Sequence, residues 1–267
     1  MLVKRIVTAV IALPLLLAAI IWLQPLWFAV LVGAAMLIGA WEWSLLSGFT
    51  SKLGRTIYVF CVAVGIVAAA FFAEAWVLLL AVVCWLWMLF TVIFYQYREK
   101  ALGFQCRYAR AFFGWVMLVS TWVAALTLRT YPTLGIAWLL IVLVLVFCAD
   151  IGAFFAGRFW GKKLLCNRVS PKKTWIGLLG GLVLSLIMAG WMSWYFFVLP
   201  SQQIAFMLLA LVTILFAVLG DLGVSVVKRI AGVKDSGKFF PGHGGMLDRL
   251  DSISAALVIF TLGVLLL

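Results

Sequence analysis

Residues 138–150 read WLLIVLVLVFCAD: twelve apolar side chains in succession, then an aspartate. A helix that is hydrophobic all round is either the core of a large protein or a membrane span. Comparable runs recur along the chain, near 6–23, 26–46, 56–73, 75–94, 111–128, 134–151, 175–198, 203–222 and 252–267. Lengths of about 17–25 residues suit helices crossing a hydrocarbon core of about 30 Å, not the short alternating strands of a barrel. Composition decides between core and membrane. The chain is 67% hydrophobic and 10% charged over 267 residues, whereas soluble domains carry about a quarter charged residues. This much apolar surface cannot all be hidden from water. The expected fold is all-α, a polytopic integral membrane protein with about nine transmembrane helices.

The first run, RIVTAVIALPLLLAAIIWLQ (5–24), has the basic start of a signal peptide. Its apolar part is too long and no small-x-small cleavage site follows, so it reads as an uncleaved first span. The formal net charge of +12 raises the question of nucleic acid, but the placement of the charges answers it. With the N-terminus in the cytoplasm and the C-terminus outside, Lys4 and Arg5, Lys52 and Arg55, Arg98 to Arg110, Arg158 to Lys173 and Lys228 to Arg249 all fall inside, and only Arg129 falls outside. That is the positive-inside asymmetry. The basic excess is topological, its remainder attracts anionic membrane lipids, and no nucleic-acid partner is expected. The five cysteines, at 61, 84, 106, 148 and 166, form no CxxC pair and support neither a disulfide framework nor a zinc site.

The chain divides by its polar chemistry. Residues 1–130 read as N-terminal transmembrane helices, a scaffold. Residues 131–267 read as a C-terminal transmembrane region with a cytoplasm-facing site. In the first part the one intramembrane acid is Glu42, between Trp41 and Trp43. Such a carboxylate is a functional candidate by default, but near the inner end of its span it also has a structural reading, as partner of a loop arginine. In the second part three polar blocks interrupt the apolar runs on the inner side: CADIGAFFAGRFWGKK (148–163) running into NRVSPKKTW (167–175), GDLGVSVVKR (220–229) and GVKDSGKFFPGHGGMLDRLD (232–251). Three blocks at one membrane face can converge on one site.

Asp221, Ser225 and Lys228 are spaced i, i+4, i+7, which puts them on one face of a helix. Asp248 and Asp251 are spaced i, i+3 with Arg249 beside the first, at the mouth of the last span, and Asp150 closes the sixth. Carboxylates from different helices, all at cytoplasmic ends, make an oxygen-ligand set suited to Mg²⁺, which is typically held by one or two carboxylates plus substrate phosphates. The competing reading of any one of these acids is a salt bridge. The glycines of PGHGG (241–245) let main-chain N–H groups approach a phosphate, although a tight turn explains them equally well. His243 is either a phosphate donor or a loop hydrogen-bonder. In SPKKTW (170–175), Ser170, Lys172, Lys173 and Thr174 at a helix start form a ready anion site, or simply cap the helix. GRFWGKKL (157–164) lacks the spacing and the Ser or Thr of a P-loop.

Taken together, SVVKRIAGVKDSGKFFPGHGGMLDRLD (225–251) resembles the signature of the phosphatidate cytidylyltransferases, or CDP-diacylglycerol synthases. The likeness covers Ser225, Lys228–Arg229, Lys234–Asp235, the PGHGG loop with Gly244 and Gly245, and Asp248–Arg249–x–Asp251. DIGAFFAGRFWGKK (150–163) and SPKKTWIGLLGG (170–181) are also similar to the family. One departure is Val224, where bacterial members often carry an acid.

The resemblance implies transfer of CMP from CTP to phosphatidic acid, giving CDP-diacylglycerol and pyrophosphate at a bacterial inner membrane. It further implies Mg²⁺ on Asp221 and Asp248, to which the helix-end carboxylates add Asp150 as a candidate, a second monovalent cation such as K⁺, and a homodimer, for whose contacts residues 1–130 are the candidates. In that setting Asp221, Asp248, Lys228 and Arg249 are the expected catalytic residues. Ser170, Lys172, Lys173, Thr174, Ser225, Arg229, Lys234, Asp235, His243, Gly244, Gly245 and Asp251 are expected to bind substrate. Three other readings stay open at the level of sequence: an ion-coupled transporter, a membrane kinase that uses CTP to phosphorylate a lipid alcohol, and a catalytically weak paralogue, suggested by Val224.

Overall fold

The computed structural model describes residues 13–196, 199–237, 239 and 244–266. Helix α1, Leu13–Trp22, is ten residues long as described, and the start of the predicted first span lies outside the described residues. Eight helices are long and apolar enough to cross a membrane: α2 (Pro25–Leu46), α3 (Lys52–Ala69), α4 (Glu74–Arg98), α5 (Arg107–Thr130), α6 (Gly135–Trp160), α7 (Trp175–Phe196), α8 (Pro200–Ile230) and α9 (Leu247–Leu266). The architecture is all-α and polytopic.

Helix starts follow local chemistry. Pro25 and Pro200 open α2 and α8, where a missing N–H costs no hydrogen bond. Ser51 caps α3, its hydroxyl accepting from Gly54 N at 3.1 Å. The helix ends depart from expectation. Hydropathy ends the sixth span at 151 and the eighth at 222, but α6 runs on to Trp160 and α8 to Ile230. At 1.5 Å per residue, the 31 residues of α8 extend about 46 Å, well beyond the hydrocarbon thickness. Hydropathy falls at the first charges, whereas a hydrogen-bonded helix continues through them. Asp150 and Asp221 therefore sit within helices, nine or ten residues before their ends.

Lipid supplies no hydrophobic drive for helix association, so close approach of small residues does this work. Along α6, Ala149, Gly152, Ala153 and Ala156 face Gly177, Gly180 and Gly181 of α7. A β-carbon on Gly152 would meet the carbonyl oxygen of Gly180, and one on Gly180 would meet Ala156. The α8–α9 contact is similar, with Gly220 lying against the main-chain oxygen of Asp251. Around these seams runs one continuous apolar core, which includes Trp43, Trp85, Phe104 and Phe113. Trp85 meets Phe113 edge-on at 5.1 Å, and Trp43 Nε1 donates to Arg110 O at 2.8 Å.

The connectors α2–α3, α4–α5, α6–α7 and α8–α9 meet at one end of the bundle. Arg110 Nη2 donates to Ser47 O at 3.1 Å, and Arg168 pairs with Glu99 at 3.3 Å. Arg229 Nε donates to Val169 O at 3.2 Å. Of the described lysines and arginines only Arg129 lies at the opposite end, where it donates to Leu23 O. The α6–α7 connector holds a feature the sequence reading omits, an antiparallel hairpin of β1 (Leu164–Cys166) and β2 (Ser170–Thr174). Gln96 accepts from Arg168 N at 3.1 Å, so α4, Glu99 and Arg229 together fasten the hairpin's turn.

Candidate active site

The hairpin carries Lys173 over the middle of the C-terminal helices. Its ammonium lies 2.6 Å from Asp221 Oδ2. Ser225 Oγ, one turn further along α8, donates to Asp221 Oδ1 over 3.4 Å. On the next turn, Lys228 Nζ donates to Asp248 Oδ1 of α9 at 2.9 Å. The i, i+4, i+7 face of α8 thus presents acid, hydroxyl and cation in sequence. Asp248 is held further by the loop, its Oδ2 accepting from Ser236 N at 3.0 Å and Gly245 N at 2.8 Å. Asp221 lies within electrostatic reach of Asp150 and Asp251, and Lys173 within reach of all three acids. Arg249 of α9 lies within electrostatic reach of Asp150. Asp251 Oδ1 accepts from Ser252 N at 2.8 Å. Among the described residues, no three His, Cys, Asp or Glu side chains converge as a ready metal cage.

Other sequence-predicted residues fall in different places. Ser170, Lys172, Lys173 and Thr174 lie on strand β2, not in a helical turn, and all four line a cavity of about 320 Å³ between α6, α7, α8 and the hairpin. Thr174 is buried and caps α7, its Oγ1 accepting from Gly177 N at 3.0 Å, so the capping reading holds for that hydroxyl. The cavity is polar at Asp150 and Lys172, and apolar where Leu178, Leu182, Ile214 and Val218 line it. Arg229 is turned to the hairpin carbonyl of Val169. Lys234 and Asp235 are exposed and make no ion pair or side-chain hydrogen bond among the described residues. His243 lies outside the described residues. Val224 is fully buried in the apolar core.

Glu42 requires a correction. Among the described residues no lysine or arginine forms an ion pair with it. Arg55 donates to Ser44 Oγ and Trp41 O and stacks on the Trp41 ring at 3.8 Å, while Arg110 serves Phe104 O and Ser47 O. Glu42 instead reaches into the α8–α9 connector, accepting from Ser236 Oγ at 2.9 Å, Met246 N at 3.0 Å and Leu247 N at 3.0 Å. A buried carboxylate without a cation needs donors, and the loop and the start of α9 provide them. Ser236, buried at the centre of this arrangement, escaped the sequence reading although it directly follows the Lys234–Asp235 pair.

A profile of the cytidylyltransferase family matches residues 3–267. The chain belongs to that family. It is 38% identical over 261 residues to a phosphatidate cytidylyltransferase of Pseudomonas aeruginosa, covering 97% of this chain and 96% of that one. To a phosphatidate cytidylyltransferase of Haemophilus influenzae it is 33% identical over 287 residues, covering 98% of each chain. A third, from Bacillus subtilis, is 39% identical over 125 residues, 47% of this chain and 46% of that one.

For a cytidylyltransferase the geometry has a plain chemical meaning. Acids and cations from α6, α8, α9 and the hairpin gather at one end of the bundle, beside a cavity that joins a cationic edge to an apolar interior. The charged edge and the apolar lining adjoin in one place.

Proposed function

We propose that the chain is a phosphatidate cytidylyltransferase, converting phosphatidic acid and CTP to CDP-diacylglycerol and pyrophosphate. One observation carries the reading: the pairs Lys173–Asp221 and Lys228–Asp248 stand where the signature residues meet, next to a cavity lined by lysines and by apolar side chains. An amphiphile with a phosphate head fits both parts, its acyl chain among Leu178, Leu182 and Ile214 and its phosphate near Lys172 and Lys173.

In the reaction a phosphate oxygen of phosphatidic acid forms a bond to the α-phosphorus of CTP, the α–β anhydride bond breaks, and pyrophosphate leaves with that electron pair. The attacking phosphate monoester has a second pKa of about 6 and is largely dianionic at neutral pH. No strong general base is required. The barrier lies in bringing two anions together in line, and fixed cations lower it. Lys173 and Lys228 supply positive charge from α8 and the hairpin, and Arg249 adds to it from α9. Ser225 Oγ, which donates to Asp221 Oδ1, would turn that single proton to a phosphate oxygen of the substrate.

The donor set fits Mg²⁺ as a resident ion. Asp221 and Asp248 are hard oxygen donors from two helices, and Mg²⁺ is typically held by one or two carboxylates and completes its shell with water and substrate phosphates. Asp221 and Asp248 would hold it, with Asp150 near Asp221, and when bound it would neutralise charge on the triphosphate. The proposal includes a second, monovalent cation, a homodimer contacting through the N-terminal helices, and a bacterial inner-membrane location with this end of the bundle in the cytoplasm. The resemblance supports the first two, and the basic connectors support the orientation.

The test uses purified full-length protein with phosphatidic acid, CTP labelled at the α-phosphate and Mg²⁺. Labelled lipid and free pyrophosphate are expected, and both should vanish in EDTA and in Asp248→Asn. Transfer of the γ-phosphate to a lipid alcohol, with release of CDP, would replace this reading with the kinase.

A further inference from the structure

Glu42 lies outside the signature and on the opposite half of the chain, yet it is built into the loop that holds Asp248. Its three donors, Ser236, Met246 and Leu247, are 194 to 205 residues away in sequence. Two of them are main-chain N–H groups at the start of α9, where the first turn has no helical acceptor of its own. Glu42 therefore caps α9 from α2, and α9 carries Asp248 on its first turn. Ser236 and its neighbour across the pinch, Gly245, in turn donate their main-chain N–H groups to Asp248 Oδ2. Two carboxylates thus hold the connector where Ser236 and Gly245 come together, Glu42 from the scaffold side and Asp248 from the site side. Gly237 and Gly245 lie so close to the Glu42 carboxylate that a β-carbon on either would run into it. Glu42 is 6% exposed, and no lysine or arginine among the described residues forms an ion pair with it.

We infer that Glu42 is a positioning residue for the cytidylyl transfer: it sets the α8–α9 loop and the first turn of α9, and through them the Asp248 carboxylate. The inference rests on the synthase reading above. Its chemical requirement is an acceptor on both side-chain oxygens, because Oε1 serves Met246 N while Oε2 serves Leu247 N and Ser236 Oγ. Glutamine keeps the shape and fails the requirement, since in either orientation its amide N–H₂ faces a main-chain N–H.

The experiment compares wild type, Glu42→Gln, Ser236→Ala and the control Ser185→Ala, all as full-length protein in detergent. Ser185 is a buried hydroxyl that donates to Leu145 O between α6 and α7, away from the loop. Four quantities are read: kcat, KM for each substrate, the half-saturating Mg²⁺ concentration, and amide hydrogen exchange along the chain. In Glu42→Gln, kcat is expected to fall about 10²-fold, as a displacement of about 1 Å can cost. The half-saturating Mg²⁺ should rise, KM for phosphatidic acid should hold, and exchange should accelerate only in peptides covering 232–251. Ser185→Ala should leave kcat and that local exchange unchanged. Wild-type kcat and exchange in Glu42→Gln would overturn the inference. So would exchange accelerated along all the helices, with activity lost only in proportion to folded protein.

If Glu42→Gln does not fold, Ser236→Ala decides. A fall in kcat of about tenfold, the worth of one hydrogen bond, with faster local exchange supports the inference, and no change in either overturns it. An inactive wild type would defeat the synthase reading alone, because the exchange comparison needs no turnover.

Discussion

Lys228 of α8 and Asp248 of α9 form an ion pair of 2.9 Å whose side chains are only 11% and 9% exposed. The second pair of the site, Lys173 with Asp221, is more open, at 27% and 30%. The difference separates their expected contributions. Removing one partner of a buried pair leaves an uncompensated charge and costs about 3–5 kcal/mol, whereas a half-buried pair is partly screened by water and costs less to break. Lys228→Ala should therefore lower the melting temperature in detergent far more than Lys173→Ala, although both should lose turnover. Combining Lys228→Met with Asp248→Asn should recover most of the lost stability, because asparagine still accepts from Ser236 N and Gly245 N. Activity should not return. Equal melting shifts for the two lysine variants would contradict this account of burial.

The loop glycines have separable duties. Gly244 adopts φ +88°, and a β-carbon there would also run into the Asp248 carboxylate, while Gly232 adopts φ +72° with open space around it. Alanine in a left-handed conformation costs about 1–2 kcal/mol at either position. Only at Gly244 does it also displace Asp248. Gly232→Ala should keep most of its turnover and Gly244→Ala should lose it, measured as labelled CDP-diacylglycerol formed per folded protein.

This contrast bears on how much the sequence discloses. Asp221, Ser225 and Lys228 were legible as one face because helical spacing is a local property, and the apolar runs located the spans for the same reason. Lys173 was legible as a cation but not as the partner of Asp221, since that pairing depends on a hairpin between spans whose strands carry no alternating pattern. Glu42 was visible as an acid in an apolar run, which suggested a cation as its partner. Its partners are two main-chain N–H groups and a serine from the other end of the chain. Main-chain donors are present at every residue, so nothing in their side chains announces which of them an acid will find.

The seam between α6 and α7 forms one wall of the proposed substrate cavity, and it yields a packing prediction. Gly180 meets Ala156 and the main-chain oxygen of Gly152, whereas a β-carbon on Gly190, ten residues along the same helix, would meet nothing within 4 Å. Inserting carbon at a filled contact costs about 1–3 kcal/mol and shifts the backbone. Gly180→Val should destabilise the protein, push α7 from α6 and raise KM for phosphatidic acid more than KM for CTP. Gly190→Val should change none of these. The comparison is made by melting and by initial rates at varied lipid mole fraction.

The proposed orientation can be read from one thiol. Cys106 is exposed at the start of α5, on the same end of the bundle as the site. Main-chain N–H groups of Ala109 and Tyr108, with Arg110 and Arg107 adding positive charge, hold its thiol below the usual range. Cys166 on β1 is pushed the other way, chiefly by burial. The thiolate is the reactive form, so Cys106 should react with maleimide at a lower pH than Cys166. In a variant retaining Cys106 alone, a membrane-impermeant maleimide should label inside-out vesicles and leave intact cells unlabelled until they are permeabilised. Labelling of intact cells would place the site end outside, where CTP is not supplied, and would overturn the proposed topology.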